Sequence, residues 1–306
     1  MSRPASAAAG SALAGIALTV AAMACFATLD TTTKYVTTTV PLLMALWFRY
    51  AFQAVVTTIA VLPVRGLAVL RTAHPRFQLL RGVLLLLSSL FAFLSLRYMP
   101  VGEFTAIVMI TPLIITLLAS TSLGEKVSTL RWVLVVGGFT GAMVIIRPGA
   151  SSFSWATLLP LSLVVSNSWF QVLTSKMAKT EDPVTMHLYT GWVGALIVTV
   201  TLPFVWTSEI STLNWGLLLV MGALASIGHF MLILAYKRSP AASLTPYLYA
   251  QIGFAMLGGW LVFSHVPDRL STMGIVMIAV CGVGGAWLAF RESRSARQVE
   301  VQPVEA

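Results

Sequence analysis

From about residue 11 to residue 290 the chain is a succession of apolar runs, each near 20 residues long, separated by short breaks. A helix rising 1.5 Å per residue needs about 20 apolar residues to cross roughly 30 Å of hydrocarbon. Ten such runs are expected, at 11–31, 41–62, 79–97, 101–120, 130–147, 155–176, 185–206, 214–236, 241–262 and 271–290. Their breaks carry turn and cap signals, as at Val40-Pro41, Met99-Pro100, Arg147-Pro148-Gly149, Asp182-Pro183 and Ser239-Pro240. Composition closes the other routes. Only 9% of residues are charged, against about 25% in an ordinary soluble domain. Disorder requires low hydrophobicity and high charge, the reverse of a chain that is 58% hydrophobic. The expected fold class is therefore all-α integral membrane, with no loop long enough for a second, soluble domain.

The net charge of +9 does not point to nucleic acid, which asks for Lys and Arg clustered on one face of a soluble module. Here the basic residues lie between apolar runs. With the N-terminus in the cytoplasm, 14 of the 19 fall on the cytoplasmic side: Arg3, Arg65, Arg71, Arg76, Arg81, Lys126, Arg131, Lys176, Lys179, Lys237, Arg238, Arg291, Arg294 and Arg297. Four fall opposite, namely Lys34, Arg97, Arg147 and Arg269, and Arg49 lies within a run. That bias sets both termini in the cytoplasm, with the protein multi-pass in a bacterial-type inner membrane. Trp132, Trp155, Trp206, Trp215, Trp260 and Trp287 stand near run ends, where an interfacial belt places them. The first run is read as retained rather than as a cleaved signal, because the charge bias holds only with it in place. Cys25 and Cys281 lie inside apolar runs and are read as packing residues, not as a disulfide or metal site.

The two halves resemble each other. At a spacing of 142, Lys34, Pro41 and Met44 match Lys176, Pro183 and Met186. At 140, Leu62-Pro63 matches Leu202-Pro203, Arg97 matches Lys237, and Pro100 matches Pro240. At 144, Gly141-Ala142 matches Gly285-Ala286 and Arg147 matches Arg291. Each copy holds five runs, an odd number, so the second enters the membrane from the opposite side. The expectation is two inverted five-helix repeats around a central cavity, 1–150 and 151–292, with a tail at 293–306. Secondary transporters use this design to expose a mid-membrane site to each side in turn. Gly137 and Gly141 in the fifth run, and Gly282 and Ala286 in the tenth, are spaced for close helix packing.

Leu96-Arg97-Tyr98-Met99-Pro100, then Thr111-Pro112, then Leu123-Gly124-Glu125, with Ala235-Tyr236-Lys237-Arg238-Ser239-Pro240 in the second copy, resemble the drug/metabolite transporter superfamily. Within it the likeness is to the EamA-type ten-span members, with the YddG-type amino-acid exporters as the nearest branch, and it covers about 11–290. It implies two inverted five-helix repeats, a central cavity and traffic in small metabolites. The second copy departs from the pattern: Ser264-His265 stands where Gly-Glu is common, and Gln251-Ile252 where a proline is common.

Polar groups at membrane depth are costly and mark functional candidates. Asn167 and Gln171 share a helix face in the sixth run and can donate to a carboxylate or accept from an ammonium; Trp169 beside them can stack on a ring. In the ninth run Tyr247 and Gln251 share a face with Ser243 and Phe254, near the helix break at Pro246; Pro112 is the matching break in the fourth. His229 is a substrate contact or proton carrier by chemistry, and a packing histidine otherwise. Tyr98 and Phe91 are candidates for an aromatic wall, and Arg49 for a structural pair with Asp30 or Glu103. Asp30 and Glu103 are expected toward run ends, leaving no acid at mid-membrane to relay protons.

No Walker A loop, zinc-protease motif or nucleophile elbow occurs in the sequence, so neither ATP hydrolysis nor an enzyme is expected, and no cofactor or metal. The expected activity is export of small metabolites, foremost aromatic and other neutral amino acids, down a gradient by alternating access. The rivals are a carrier of vitamins, nucleotide-like compounds or lipid-linked sugars, and a membrane assembly protein without transport. The partners expected are the bilayer and a small-molecule substrate, the chain being a monomer or weak homodimer.

Overall fold

The computed structural model describes residues 5–122, 128–148, 154–178, 180–238, 244 and 247–301. Among them every regular element is helical: α1 (Ala5–Val36), α2 (Leu42–Arg65), α3 (Pro75–Tyr98), α4 (Val101–Val108), α5 (Thr111–Ser122), α6 (Thr129–Ile146), α7 (Leu159–Met177), α8 (Pro183–Thr199), α9 (Leu202–Val205), α10 (Thr212–Arg238), α11 (Ala250–Phe263) and α12 (Arg269–Val301). Helix occupies each of the ten expected runs, with α4 and α5 sharing the fourth and α8 and α9 the seventh. Five helical segments are long and apolar enough to cross a membrane: Leu13–Val36, Leu42–Leu70, Pro75–Tyr98, Trp155–Met177 and Thr212–Arg238. Val101–Ile115, Trp132–Ile146, Ala250–Phe263 and Arg269–Gly285 are shorter apolar helices.

The bundle is apolar outside and holds polar side chains among its buried residues. Leu13, Ile59, Val200, Phe204, Leu261 and Val280 are exposed, while Gln53, Gln78, Arg81, Ser88 and Ser89 are buried. Water penalises such an exterior and hydrocarbon does not. The helices pack in related pairs. α1 lies along α10 and α11, as α7 lies along α3 and the α4–α5 segment. α2 packs on α8 and α10, as α8 packs on α2 and α3; α6 faces α12, and α4 faces α11. Exchanging α1, α2, α3, α4–α5 and α6 for α7, α8, α10, α11 and α12 returns this set of contacts.

Two large apolar cores result, beside a smaller cluster of Ala22, Met23, Leu232 and Leu248. One gathers Phe104, Ile107, Ile110, Ala142, Ile145, Ile252 and Ile278. The other gathers Met44, Leu46, Tyr50, Leu85, Phe93, Ala195, Leu218 and Met221. The α6–α12 seam is close because two glycines meet there: a Cβ on Gly141 would stand 2.9 Å from the Gly274 carbonyl oxygen, and one on Gly274 2.6 Å from that of Gly141. A Cβ on Gly137 would meet Cys281 Sγ at 2.7 Å. Gly282, expected at this seam, instead faces the Tyr249 ring, since one residue past Cys281, which meets Gly137, it is turned about 100° around α12. The surroundings of the Ala286 side chain lie outside the described residues.

Arg147 (φ 53°) and Ser264 (φ 51°) end α6 and α11 in left-handed backbone. Arg147 then donates to both carboxylate oxygens of Asp268, at 2.6 Å to Oδ2. Asp268 also accepts from the Ser271 amide at 2.8 Å, capping α12. The guanidinium, with that amide, holds the Asp268 carboxyl far below its ordinary value of 3.8. A depressed carboxylate contributes stability that is complete above the unfolded pKa and is lost only as pH falls through the folded one. Asp268→Asn is therefore expected to lower the melting temperature by the same small amount throughout about pH 5 to 8, solvent screening keeping the effect modest. Melting curves of both proteins across that range check it.

Candidate functional site

Between the two cores lies a cavity of about 130 Å³. Helix phase decides what reaches it. Met23, Phe26 and Asp30 come from one face of α1; Leu85, Ser88, Ser89 and Ala92 from one stripe of α3; Leu163, Asn167, Phe170 and Gln171 from one stripe of α7. α2 adds Arg49, α10 adds His229 and Leu232, and Leu248 and Gln251 close the far wall. The α4–α5 break presents Val108, Met109, Thr111 and Pro112. Proline has no N–H and removes one bond of the helical ladder at that step, and the turn at Met109-Ile110 is bonded 3₁₀-fashion, Ile110 N–H to the Ile107 carbonyl at 3.0 Å.

The polar groups form three hydrogen-bonded sets. Gln251 Nε2 donates to Asp30 Oδ2 at 3.1 Å. The Arg49 guanidinium donates to Ser89 Oγ and, at 3.0 Å, to His229 Nε2, and lies 4.7 Å from the Tyr50 ring centroid. His229 packs against Phe26 at 4.8 Å and Phe170 at 6.3 Å between ring centroids. Tyr236 donates to Gln171 Oε1 at 3.3 Å. Asn167 Oδ1 is buried without a hydrogen-bond partner among the described residues. Asp30 is the one carboxylate among the lining residues and Arg49 the one guanidinium. The walls are phenyl rings and thioethers: Phe26, Phe93, Phe104, Phe170, Met23 and Met109.

Several expectations require correction. Asp30 is inside the bundle, not at a span end, because α1 continues to Val36; the acid missing at membrane depth is present. Arg49 bonds Ser89 and His229 rather than Asp30 or Glu103, and Glu103 pairs with His265 at 2.9 Å. Asn167, Gln171, His229, Gln251 and Pro112 reach the cavity. Trp169 does not: two residues from Asn167 it is turned some 200° away and is 51% exposed. Tyr98, the last residue of α3, is 59% exposed. Phe91 sits off the α3 stripe and packs on the first core. Tyr247 is exposed; continuous helix begins only at Ala250, so the four-residue spacing to Gln251 does not bring the two together. Ser243 and Pro246 lie outside the described residues. Sequence reading missed Phe26, Phe93, Phe104 and Phe170; only the spacing of Met23, Phe26 and Asp30 on one helix face signalled part of this wall.

This arrangement has known counterparts. The sequence profile of the EamA-like transporter family matches residues 13–147. A riboflavin transporter of Rhizobium johnstonii is 30% identical over 271 residues, covering 87% of this chain and 86% of that protein. The chain belongs to the EamA-like transporter family. It is thus a multi-pass membrane transporter of small molecules within the drug/metabolite transporter superfamily, and not an enzyme. An S-adenosylmethionine uptake transporter of Rickettsia conorii is 27% identical, covering 81% of this chain and 84% of that one. A pseudopaline exporter of Pseudomonas aeruginosa is 27% identical, covering 87% and 93%. A solved crystal structure shares the fold over 92% of this chain and 98% of its own, with a TM-score of 0.65 at 19% identity.

Proposed function

We propose that this transporter carries a zwitterionic metabolite bearing an aromatic or heteroaromatic ring. The ammonium lies at Asp30, the carboxylate at Arg49, and the ring against Phe26, Phe104 and Phe170. One observation carries this reading: a single carboxylate and a single guanidinium among the residues lining one phenyl-walled cavity. Charge-assisted hydrogen bonds in a low-dielectric site are strong and set orientation. S-Adenosylmethionine, named for several relatives, has a zwitterionic amino-acid unit, a sulfonium and an adenine ring; tryptophan joins the same amino-acid unit to an indole ring in a smaller frame. Relatives include both uptake and export proteins by name, so the gradient, not the cavity, is taken to set direction.

A second reading, transport of riboflavin, is favoured by the 30% identical relative and by the neutral amides of Asn167, Gln171 and Gln251 at the cavity. Radiolabelled flux into liposomes without ATP separates the two. The zwitterion reading expects S-adenosylmethionine or tryptophan to move faster than in empty liposomes and each to slow the other. Movement of riboflavin alone, uncompeted by either, overturns it.

The pairwise helix contacts support a division into two five-helix units, 1–150 and 151–292; in the proposed mechanism these rock about the cavity, with 293–306 as a tail and, on the charge bias of the loops, both termini in the cytoplasm. Asn167→Ala and Gln171→Ala each remove a neutral hydrogen bond of about 1 kcal/mol, so about a fivefold loss of flux is expected. Folded yield, read by size-exclusion chromatography, is expected to stay unchanged for Asn167→Ala, since Asn167 Oδ1 has no partner among the described residues, and to fall slightly for Gln171→Ala, which leaves the Tyr236 hydroxyl unpaired.

A further inference from the structure

A second cavity, of about 20 Å³, lies beside the first and shares Leu85, Phe170, Gln171, His229 and Leu232 with it. It sits toward the side whose loops carry Arg65, Arg71, Arg76 and Lys176. Its own lining includes Arg81, Thr174, His187 and Thr190. Arg81 is 1% exposed. Its Nε donates to Thr174 Oγ1 at 3.0 Å, and its Nη1 to Gln78 Oε1 at 3.0 Å and the Met186 carbonyl at 3.3 Å. All three acceptors are neutral, and among the described residues none accepts from Nη2. Glu181 acts on Arg81 only at a distance; its Oε1 is used by Thr72 Oγ1 and the amides of Ala73 and His74 at 2.9 to 3.2 Å. A guanidinium in a membrane bundle without an adjoining carboxylate is costly to keep. At the 140-residue spacing that aligns Arg97 with Lys237, the position matching Arg81 is Met221, so the repeated architecture does not itself require a cation there.

We propose that Arg81 is a second station for the carboxylate of the substrate, entered from the Arg49 site past Phe170. This rests on the zwitterion reading above. The Phe170 ring lies 5.3 Å from the Arg81 guanidinium and 6.3 Å from the His229 ring, so it stands between the two basic sites. A cavity of this size holds about one water-sized group, which admits a carboxylate oxygen and leaves the ring of the substrate in the larger chamber. The specificity that follows is for an anionic group on the substrate, read twice along one path.

The test uses the full chain in liposomes with S-adenosylmethionine and its decarboxylated form, or tryptophan and tryptamine. Arg81→Gln is expected to slow flux of the carboxylate-bearing compound about tenfold or more, as loss of a charge-assisted bond implies. Its equilibrium binding, held by Arg49, and the flux of the decarboxylated partner are expected to change by less than about twofold. Arg81→Lys, which keeps the charge, restores much of the rate. Equal slowing of both compounds, or failure of both variants to fold, makes Arg81 a structural tie among α3, α7 and α8 and overturns the proposal. If replacing chloride by methanesulfonate slows the wild type as Arg81→Gln does, the site holds a free anion and the proposal also falls. If neither zwitterion is carried, the reading of the main cavity falls with it. If zwitterions are carried but Arg81→Gln ignores the carboxylate, this inference alone falls.

Discussion

Asp30→Asn is expected to lower the flux of a zwitterionic substrate by about 10- to 100-fold, the equivalent of about 1.5–3 kcal/mol for a hydrogen bond to a charged group. The substitution keeps shape and leaves Gln251 an oxygen to donate to, so α1 and α11 stay joined. What it removes is the charge facing the substrate ammonium. A substrate analogue without its amino group is therefore expected to lose almost nothing. Arg49→Gln mirrors the effect with respect to the carboxylate, but it also ends the bonds to Ser89 and His229, so some loss of stability accompanies it. Flux of paired analogues through each variant in liposomes checks the assignment. An equal loss for both analogues through Asp30→Asn would show that the acid supports the fold rather than the substrate.

Gly274→Leu is expected to have the largest effect on folding. Its Cβ would meet a backbone oxygen of α6 at 2.6 Å, with Ile145 at the same distance. Overpacking a core costs about 1–3 kcal/mol when side chains can adjust; a backbone oxygen in a helix cannot, so α6 and α12 must separate. Gly253→Ala is the control, because nothing lies within 4 Å of its Cβ position. Folded yield and melting temperature in detergent are expected to collapse for the first and to stay at wild-type values for the second. In the proposed two-unit design α6 and α12 pair the last helix of each unit, so losing the seam is expected to lower transport along with folded yield.

The helical runs were legible because hydrocarbon imposes their length, and Asn167, Gln171 and Gln251 because amides at that depth are costly. Asp30 was not. The stretch after Ala27 reads as a span end, with Thr28, Thr31, Thr32, Thr33 and Lys34 in quick succession. Yet Thr28, Thr31 and Thr32 each return their hydroxyl to the carbonyl four residues back at 2.8 Å, which satisfies them within the helix. Lys34 finds the Leu96 and Met99 carbonyls at the end of α3, at 2.8 and 2.9 Å. The helix thus runs on, and Asp30 falls inside. Arg81 was counted with the orienting charges for a related reason: its acceptors lie on α7 and α8, 93 and 105 residues away, and no local pattern announces them. The phenyl wall was hidden because Phe26, Phe93, Phe104 and Phe170 are single apolar residues in apolar runs, distinguished only by where the helices cross.

An experimental structure of the chain with bound S-adenosylmethionine or tryptophan bears most directly on whether this chamber recognises a zwitterion. The ligand amine is expected within hydrogen-bond reach of Asp30, its carboxylate at Arg49, and its ring between Phe26 and Phe170. A ligand seated elsewhere, or one bound here with its charged end turned away from both residues, contradicts this expectation.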